Sequence, residues 1–118
     1  MASTTVQEHN FTVYQGADLN ATICLTESDS TATDLTGYAV RGSVKHRYGD
    51  SAVLLDLAPT VAAPATDGYI KVAISSTLTA PLPVGQFVYD IEKYPSQYPN
   101  AVDKVLKGYF SVEPEATT

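Results

Sequence analysis

The stretch Gly85-Gln86-Phe87-Val88-Tyr89-Asp90-Ile91-Glu92 constrains the fold more than any other part of the chain. Phe87, Tyr89 and Ile91 fall on one face, and Val88, Asp90 and Glu92 on the other. A period of two over this length marks a strand with one buried and one wetter face. A glycine opens it. The run before it, Leu78 to Val84, carries Pro81 and Pro83 and reads as a corner feeding the strand. Such a strand needs neighbours to pair with and a second apolar layer to cover its inner face.

The rest of the chain supplies them. His9 to Tyr14 reads as a first short strand, with Phe11 and Val13 on one face. In Asp18 to Thr26, Leu19, Ala21, Ile23 and Leu25 alternate with Asn20, Thr22 and Cys24. Glu27 to Asp34 is rich in Ser, Thr and Asp and reads as a turn. Tyr38 to His46 is a third strand. Val40 and Val44 share a face with Gly42, whose place in mid-strand suggests a bulge or a close neighbour. Ala52 to Leu57 reads as an edge strand ahead of Pro59, and residues 58–66 as a small-residue connection. Asp67-Gly68 turns into the strand Tyr69 to Ser75. Ser76 to Ala80 has room for one helical turn, Tyr94 to Asn100 reads as a loop, and Val102 to Val112 is the last strand.

These add to seven strands with closely spaced turn signals and no helix long enough to cover a sheet. The expected fold is all-β, a seven-stranded immunoglobulin-like antiparallel β-sandwich. It should span residues 10–113, between a polar N-terminal arm (1–9) and a polar C-terminal tail (114–118). A chain of 118 residues is the size of one domain. It buries about 65 % of the surface its unfolded form exposes, enough for a single core.

The totals argue against several functions. Thirteen acidic residues against seven basic give a net charge of -6, which disfavours nucleic acid and an electrostatic hold on membranes. The single Cys24 excludes an intrachain disulfide. With only His9 and His46 beside it, a zinc site of the usual Cys and His count is also excluded. The N-terminus has no basic region followed by an apolar core, so synthesis in the cytoplasm without a secretory signal is expected.

Chemistry finds little support. Asp90 and Glu92 lie two apart on one strand face, the spacing of an acid/base pair or a cation site. The simpler reading is a solvated face with Lys93 or Lys107 opposite. Glu27, Asp29 and Asp34 lack the spacing of a calcium loop and suit turn chemistry. Neither Cys24 nor His46 has the neighbours of a catalytic group. No catalytic residue, metal or cofactor is expected. Tyr48, Tyr94 and Tyr98, with Arg47, are the candidates for partner contact, because tyrosine and arginine are enriched at interface centres. The alternative is that the loop tyrosines fold back to cap the end of the sandwich.

An ordered set of short motifs then becomes visible. Phe11-Thr12-Val13-Tyr14-Gln15-Gly16-Ala17-Asp18 precedes Asp34-Leu35-Thr36-Gly37-Tyr38. Asp67-Gly68-Tyr69-Ile70, Gly85-Gln86-Phe87-Val88-Tyr89-Asp90-Ile91-Glu92 and Leu106-Lys107-Gly108-Tyr109-Phe110-Ser111-Val112 follow. The set, over about residues 10–113, resembles the small immunoglobulin-like virion domains of tailed bacteriophages. These include the N-terminal domain of the baseplate upper protein family and short structural proteins of myophages. Phe87 stands where relatives often have Tyr. That removes a hydroxyl able to tie the strand to its corner, leaving Pro81, Pro83 and packing to hold it.

The resemblance implies a non-enzymatic virion protein assembled in the host cytoplasm. It would dock on tail, baseplate, neck or capsid proteins in multiple symmetric copies. The alternative is a host-surface or glycan-binding adhesion module of the virion.

Overall fold

A computed structural model describes residues 6–27, 30–98 and 100–114. Residues 1–5 of the N-terminal arm, residues 115–118 of the tail, Ser28, Asp29 and Pro99 lie outside the described residues. The chain is all-β. Its strands are β1 (Gln7–Glu8), β2 (Phe11–Tyr14), β3 (Leu19–Cys24), β4 (Tyr38–Lys45), β5 (Leu55–Asp56), β6 (Thr60–Val61), β7 (Tyr69–Ile74), β8 (Gly85–Pro95) and β9 (Asp103–Glu113). One helical turn, α1 (Ser76–Thr79), lies where the sequence left room for it.

Two sheets result. The larger runs β5-β4-β8-β9, with β1 and β2 following each other along the far side of β9. The smaller runs β3-β7-β6. The opening stretch is therefore central, since β8 pairs with β4 on one side and β9 on the other. Its period holds: Phe87, Tyr89 and Ile91 are buried, and Val88, Asp90 and Glu92 are half-buried on the outer face. Ile70, Val72 and Ile74 of the smaller sheet join them, with Phe11, Val44 and Phe110, in one core cluster. Each such side chain removed from water contributes roughly 1.5–3 kcal/mol.

The structure differs from the sequence expectation in several ways. There are nine strands among the described residues, not seven. Gln7–Glu8, assigned to the arm, and Thr60–Val61, assigned to a connection, are short strands too brief to show a period. The Ala52–Leu57 run contributes only Leu55–Asp56. The larger sheet is mixed rather than antiparallel, because β1 and β2 both run parallel to β9. Strand β8 runs on to Pro95, which takes Tyr94 out of the expected loop and into the sheet.

Lys93 follows the period of β8 inward and is 6 % exposed. Its ammonium lies 4.6 Å from the centroid of the Tyr38 ring, a cation–π contact in place of the outward position expected for it.

Two glycines are needed for close approach. A Cβ on Gly42 would stand 2.7 Å from Cγ1 of Ile91 and 2.8 Å from the Asp90 carbonyl oxygen, so the suspected neighbour is β8 itself. A Cβ on Gly108 would overlap the carbonyl of His9, where the chain crosses from β1 to β2. That crossing is tied down on three sides. The His9 amide donates to the Lys107 carbonyl at 3.0 Å. The Asn10 side chain accepts from the Tyr109 amide at 2.9 Å. The Tyr89 hydroxyl donates to the His9 carbonyl from inside the core.

The corner before β8 is held by more than proline and packing. Gln15 donates to the Leu82 carbonyl at 2.7 Å, and the buried Thr79 hydroxyl donates to the Ala17 carbonyl at 2.8 Å.

Gly108→Ala should lift the crossing off β9 and destabilise the fold by about 1–3 kcal/mol. Hydrogen exchange should localise the loss to residues 7–14; uniform exchange with an unchanged melting temperature would contradict it. Tyr89→Phe should cost about 1 kcal/mol at neutral pH for the lost hydrogen bond.

Burial pushes the Tyr89 pKa upward, with a smaller contribution from Tyr48. The folded state therefore keeps this proton at pH values where the unfolded chain has released it. The associated stability is fully present below pH ~10 and is lost above it. Tyr89→Phe should accordingly flatten the alkaline arm of the stability profile, measured by urea unfolding from neutral pH to beyond that point.

Candidate interaction site

Strand periodicity puts Arg41, Ser43 and Lys45 of β4, Val88, Asp90, Glu92 and Tyr94 of β8, and Tyr109 of β9 on the outward face of the larger sheet. Register aligns Arg41 with Glu92, Ser43 with Asp90, and Val88 with Tyr109. A bulge interrupts β9, since Ile91 faces Leu106 whereas Glu92 faces Lys104. Val105 is the extra residue. It is buried together with Leu106, and the shift brings Lys104 onto the outward face.

Four charges of this face form two ion pairs. Arg41 Nε lies 3.2 Å from Oε1 of Glu92, and Lys104 Nζ lies 3.0 Å from Oδ2 of Asp90. The bond to Asp90 raises the Lys104 pKa and holds the ammonium charged. The two carboxylates thus form the solvated face that the simpler sequence reading described. Their cations are Arg41 and Lys104, however, rather than Lys93 or Lys107. Lys107 stands opposite Asp90 in register, but the bulge gives the ion pair to Lys104.

Rings cover these pairs. The Arg41 guanidinium lies 5.0 Å from the Tyr94 centroid, and Lys104 Nζ lies 5.9 Å from that of Tyr48. Tyr48 is 50 % exposed, yet its position is fixed. Its hydroxyl donates to the Tyr89 carbonyl at 3.1 Å and lies 3.4 Å from the Gly108 carbonyl. Partial desolvation is the largest cause of its raised pKa.

The structure separates the sequence candidates. Tyr48 and Tyr94 share the outward face, toward its opposite ends. Tyr98, in the turn after β8, is 67 % exposed. Arg47 is exposed beside Tyr48, with its Nε 3.7 Å from Asp50.

Tyr109 was missed as a site residue. It is 50 % exposed and, with Tyr48, Val88, Glu8, Asn10 and Lys107, lines an open cleft of about 670 Å³. Alternation along Val102 to Val112 is enough to place Tyr109 outward, but no sequence signal joins it to a loop tyrosine distant in the chain. A second groove, about 340 Å³, lies over Arg41, Ser43, Lys45 and Asp56.

Elsewhere the polar residues serve the fold. Asp34 Oδ1 accepts from the Thr36 amide at 3.0 Å and the Thr36 hydroxyl at 2.6 Å, which lowers its pKa. Cys24 is half-buried, its thiol 3.7 Å from the Asp67 carbonyl. Among the described residues no three His, Cys, Asp or Glu side chains converge as metal ligands.

Arg41 and Glu92 are paired in water, with side chains 52 % and 31 % exposed. A double-mutant cycle on Arg41→Ala and Glu92→Ala should return a coupling below about 1 kcal/mol. Thermal unfolding of the four proteins measures it. A coupling several times larger would make the pair a structural element.

No protein-family model matches the chain, and a search of curated proteins finds no match.

Proposed function

We propose that this chain is an immunoglobulin-like sandwich that works by binding and performs no chemistry. Its place would be in the virion of a tailed bacteriophage, docked in multiple symmetric copies on tail, baseplate, neck or capsid proteins. The observation that carries this reading is the strand order. With β2 to β9 taken as successive strands, the second, fifth and sixth form one sheet and the third, fourth, seventh and eighth the other. The first lies beside the last. Immunoglobulin-like sandwiches divide their strands in this way. The motif resemblance supplies the virion context.

The outward face supports a binding role. Tyr48 and Tyr109 both present half-exposed rings, and the Tyr48 ring is held by its hydroxyl, which lowers the side-chain entropy it loses on docking. Asp90 and Glu92 already have their cations, so a partner covering them would not bury an unpaired charge.

Quantitative mass spectrometry of purified phage particles should find the chain in a fixed copy number. Its presence only as free protein in the lysate would reject the reading. The exposure of Tyr98 favours glycan binding as the second possibility. In that case Tyr98→Ala should weaken retention on host-surface glycans and leave particle incorporation intact.

A further inference from the structure

We propose that two copies of this chain associate edge to edge through β3, which joins their smaller sheets across a twofold axis. Strand β3 is the end strand of its sheet. Natural sheets guard such edges with brevity, charge, proline or a break, because an open ladder recruits other strands. The other edges here are guarded. β5 and β6 are two residues each, with Pro59 between them. The β1–β2 edge is interrupted at His9–Asn10 and carries Glu8. Strand β3, Leu-Asn-Ala-Thr-Ile-Cys, has none of these devices over six residues. It is uncharged in a chain of net charge -6.

The direction of its backbone groups is fixed. The Leu25 amide donates to the Gly68 carbonyl at 2.8 Å, toward the side of β7. On the far side of β7, the Ala62 amide donates to the Tyr69 carbonyl at 2.9 Å. Both observations put Ala21 and Ile23 in the hydrogen-bonded pairs with Val72 and Ile70. The N–H and C=O groups of Asn20, Thr22 and Cys24 therefore point out of the edge.

Further along, the edge is already partly used. The Gln7 side chain donates to the Cys24 carbonyl at 3.2 Å and accepts from the Thr26 amide at 2.7 Å, standing in for a strand neighbour. Among the described residues, the groups left open are those of Asn20 and Thr22, with the Cys24 amide.

These facts select one occupant and one register. An antiparallel second copy with Ala21 on the twofold axis pairs Asn20 of each chain with Thr22 of the other. It uses the open groups of Asn20 and Thr22 and leaves the Cys24 carbonyl to Gln7. Leu19 of each copy then meets Ile23 of the other on the core side, where both are half-buried and lack a neighbour strand. The small Ala21 suits the axis, because facing residues there are a non-hydrogen-bonded pair with Cα atoms about 4.5 Å apart. No like charges face each other within the paired strands. An edge of this length lies at the small end of interface sizes, so the dimer forms at high protein concentration. Self-pairing at this edge does not depend on the protein belonging to a virion.

Sedimentation equilibrium over a wide concentration range tests it. The wild-type chain should show a reversible monomer–dimer equilibrium. Thr22→Pro removes an outward N–H and no bond within the sheet. Thr22→Lys supplies the missing guard charge. Each should raise the dimer dissociation constant roughly tenfold or more, and Thr22→Lys should do so with its melting temperature unchanged. Should the proline variant fail to fold, the lysine variant decides. Ala21→Cys in a Cys24→Ser background should form a disulfide-linked dimer with oxidised glutathione, its Cα spacing being within disulfide range. A chain that stays monomeric throughout, a dimer indifferent to Thr22→Lys, or a dimer that Ala21→Cys does not cross-link would each overturn the proposal.

Discussion

The N-terminal strand lies against the last strand because Gly108 has no side chain. A methyl group there would occupy the space of the His9 carbonyl. With the space open, that carbonyl drops close enough to accept the Tyr89 hydroxyl, which would otherwise be a buried donor in an apolar core. One contact thus links three parts of the chain. Strand β8 supplies the hydroxyl, β9 supplies the gap, and the crossing between β1 and β2 supplies the acceptor. Phe11 follows directly and packs its ring 5.0 Å from Tyr89 and 6.3 Å from Phe110. Core packing and the mixed character of the larger sheet both follow from how closely the chain passes Gly108.

The outward face of the same sheet obeys different physics. Its two ion pairs, Arg41–Glu92 and Lys104–Asp90, are solvated and covered by rings, so they contribute little to stability. Their value lies in what they permit. A surface whose carboxylates are already matched can meet a partner without the desolvation cost of lone ions. Tyr48, held by two backbone carbonyls, presents fixed apolar area beside these ion pairs. The bulge at Val105 connects the two faces. It inserts two adjacent apolar residues into the core and places Lys104 beside Asp90 outside.

Much of the fold was legible because strands advertise themselves by alternation. Phe87, Tyr89 and Ile91 could be placed in the core from their spacing alone, as could Leu19, Ala21 and Ile23 on the inner side of β3. Illegible parts were those without a period. Gln7–Glu8 and Thr60–Val61 are two residues each and are strands only because a long neighbour pairs with them. The bulge in β9 was not anticipated; its trace in the sequence is the adjacent apolar pair Val105-Leu106, which breaks the alternation. Lys93 is a different case. Its charge argued for water, whereas its position in the period put it over Tyr38, and position prevailed. The site was less legible than the fold, because Tyr48 and Tyr109 meet only through the sheet.

The parallel pairing of the first and last strands has a mechanical meaning. Parallel neighbours start at the same end of a sheet, so the chain enters the paired region at one end and leaves it at the other. Tension applied through residues before Gln7 and after Glu113 would pull β1 and β2 along β9 in opposite senses. The Phe11–Phe110 to Tyr14–Glu113 ladder would be loaded in shear, together with the Gln15 amide bond to the Glu113 carbonyl. Its hydrogen bonds would share the force instead of opening one after another. A domain of modest core size gains resistance to stretching from that geometry alone.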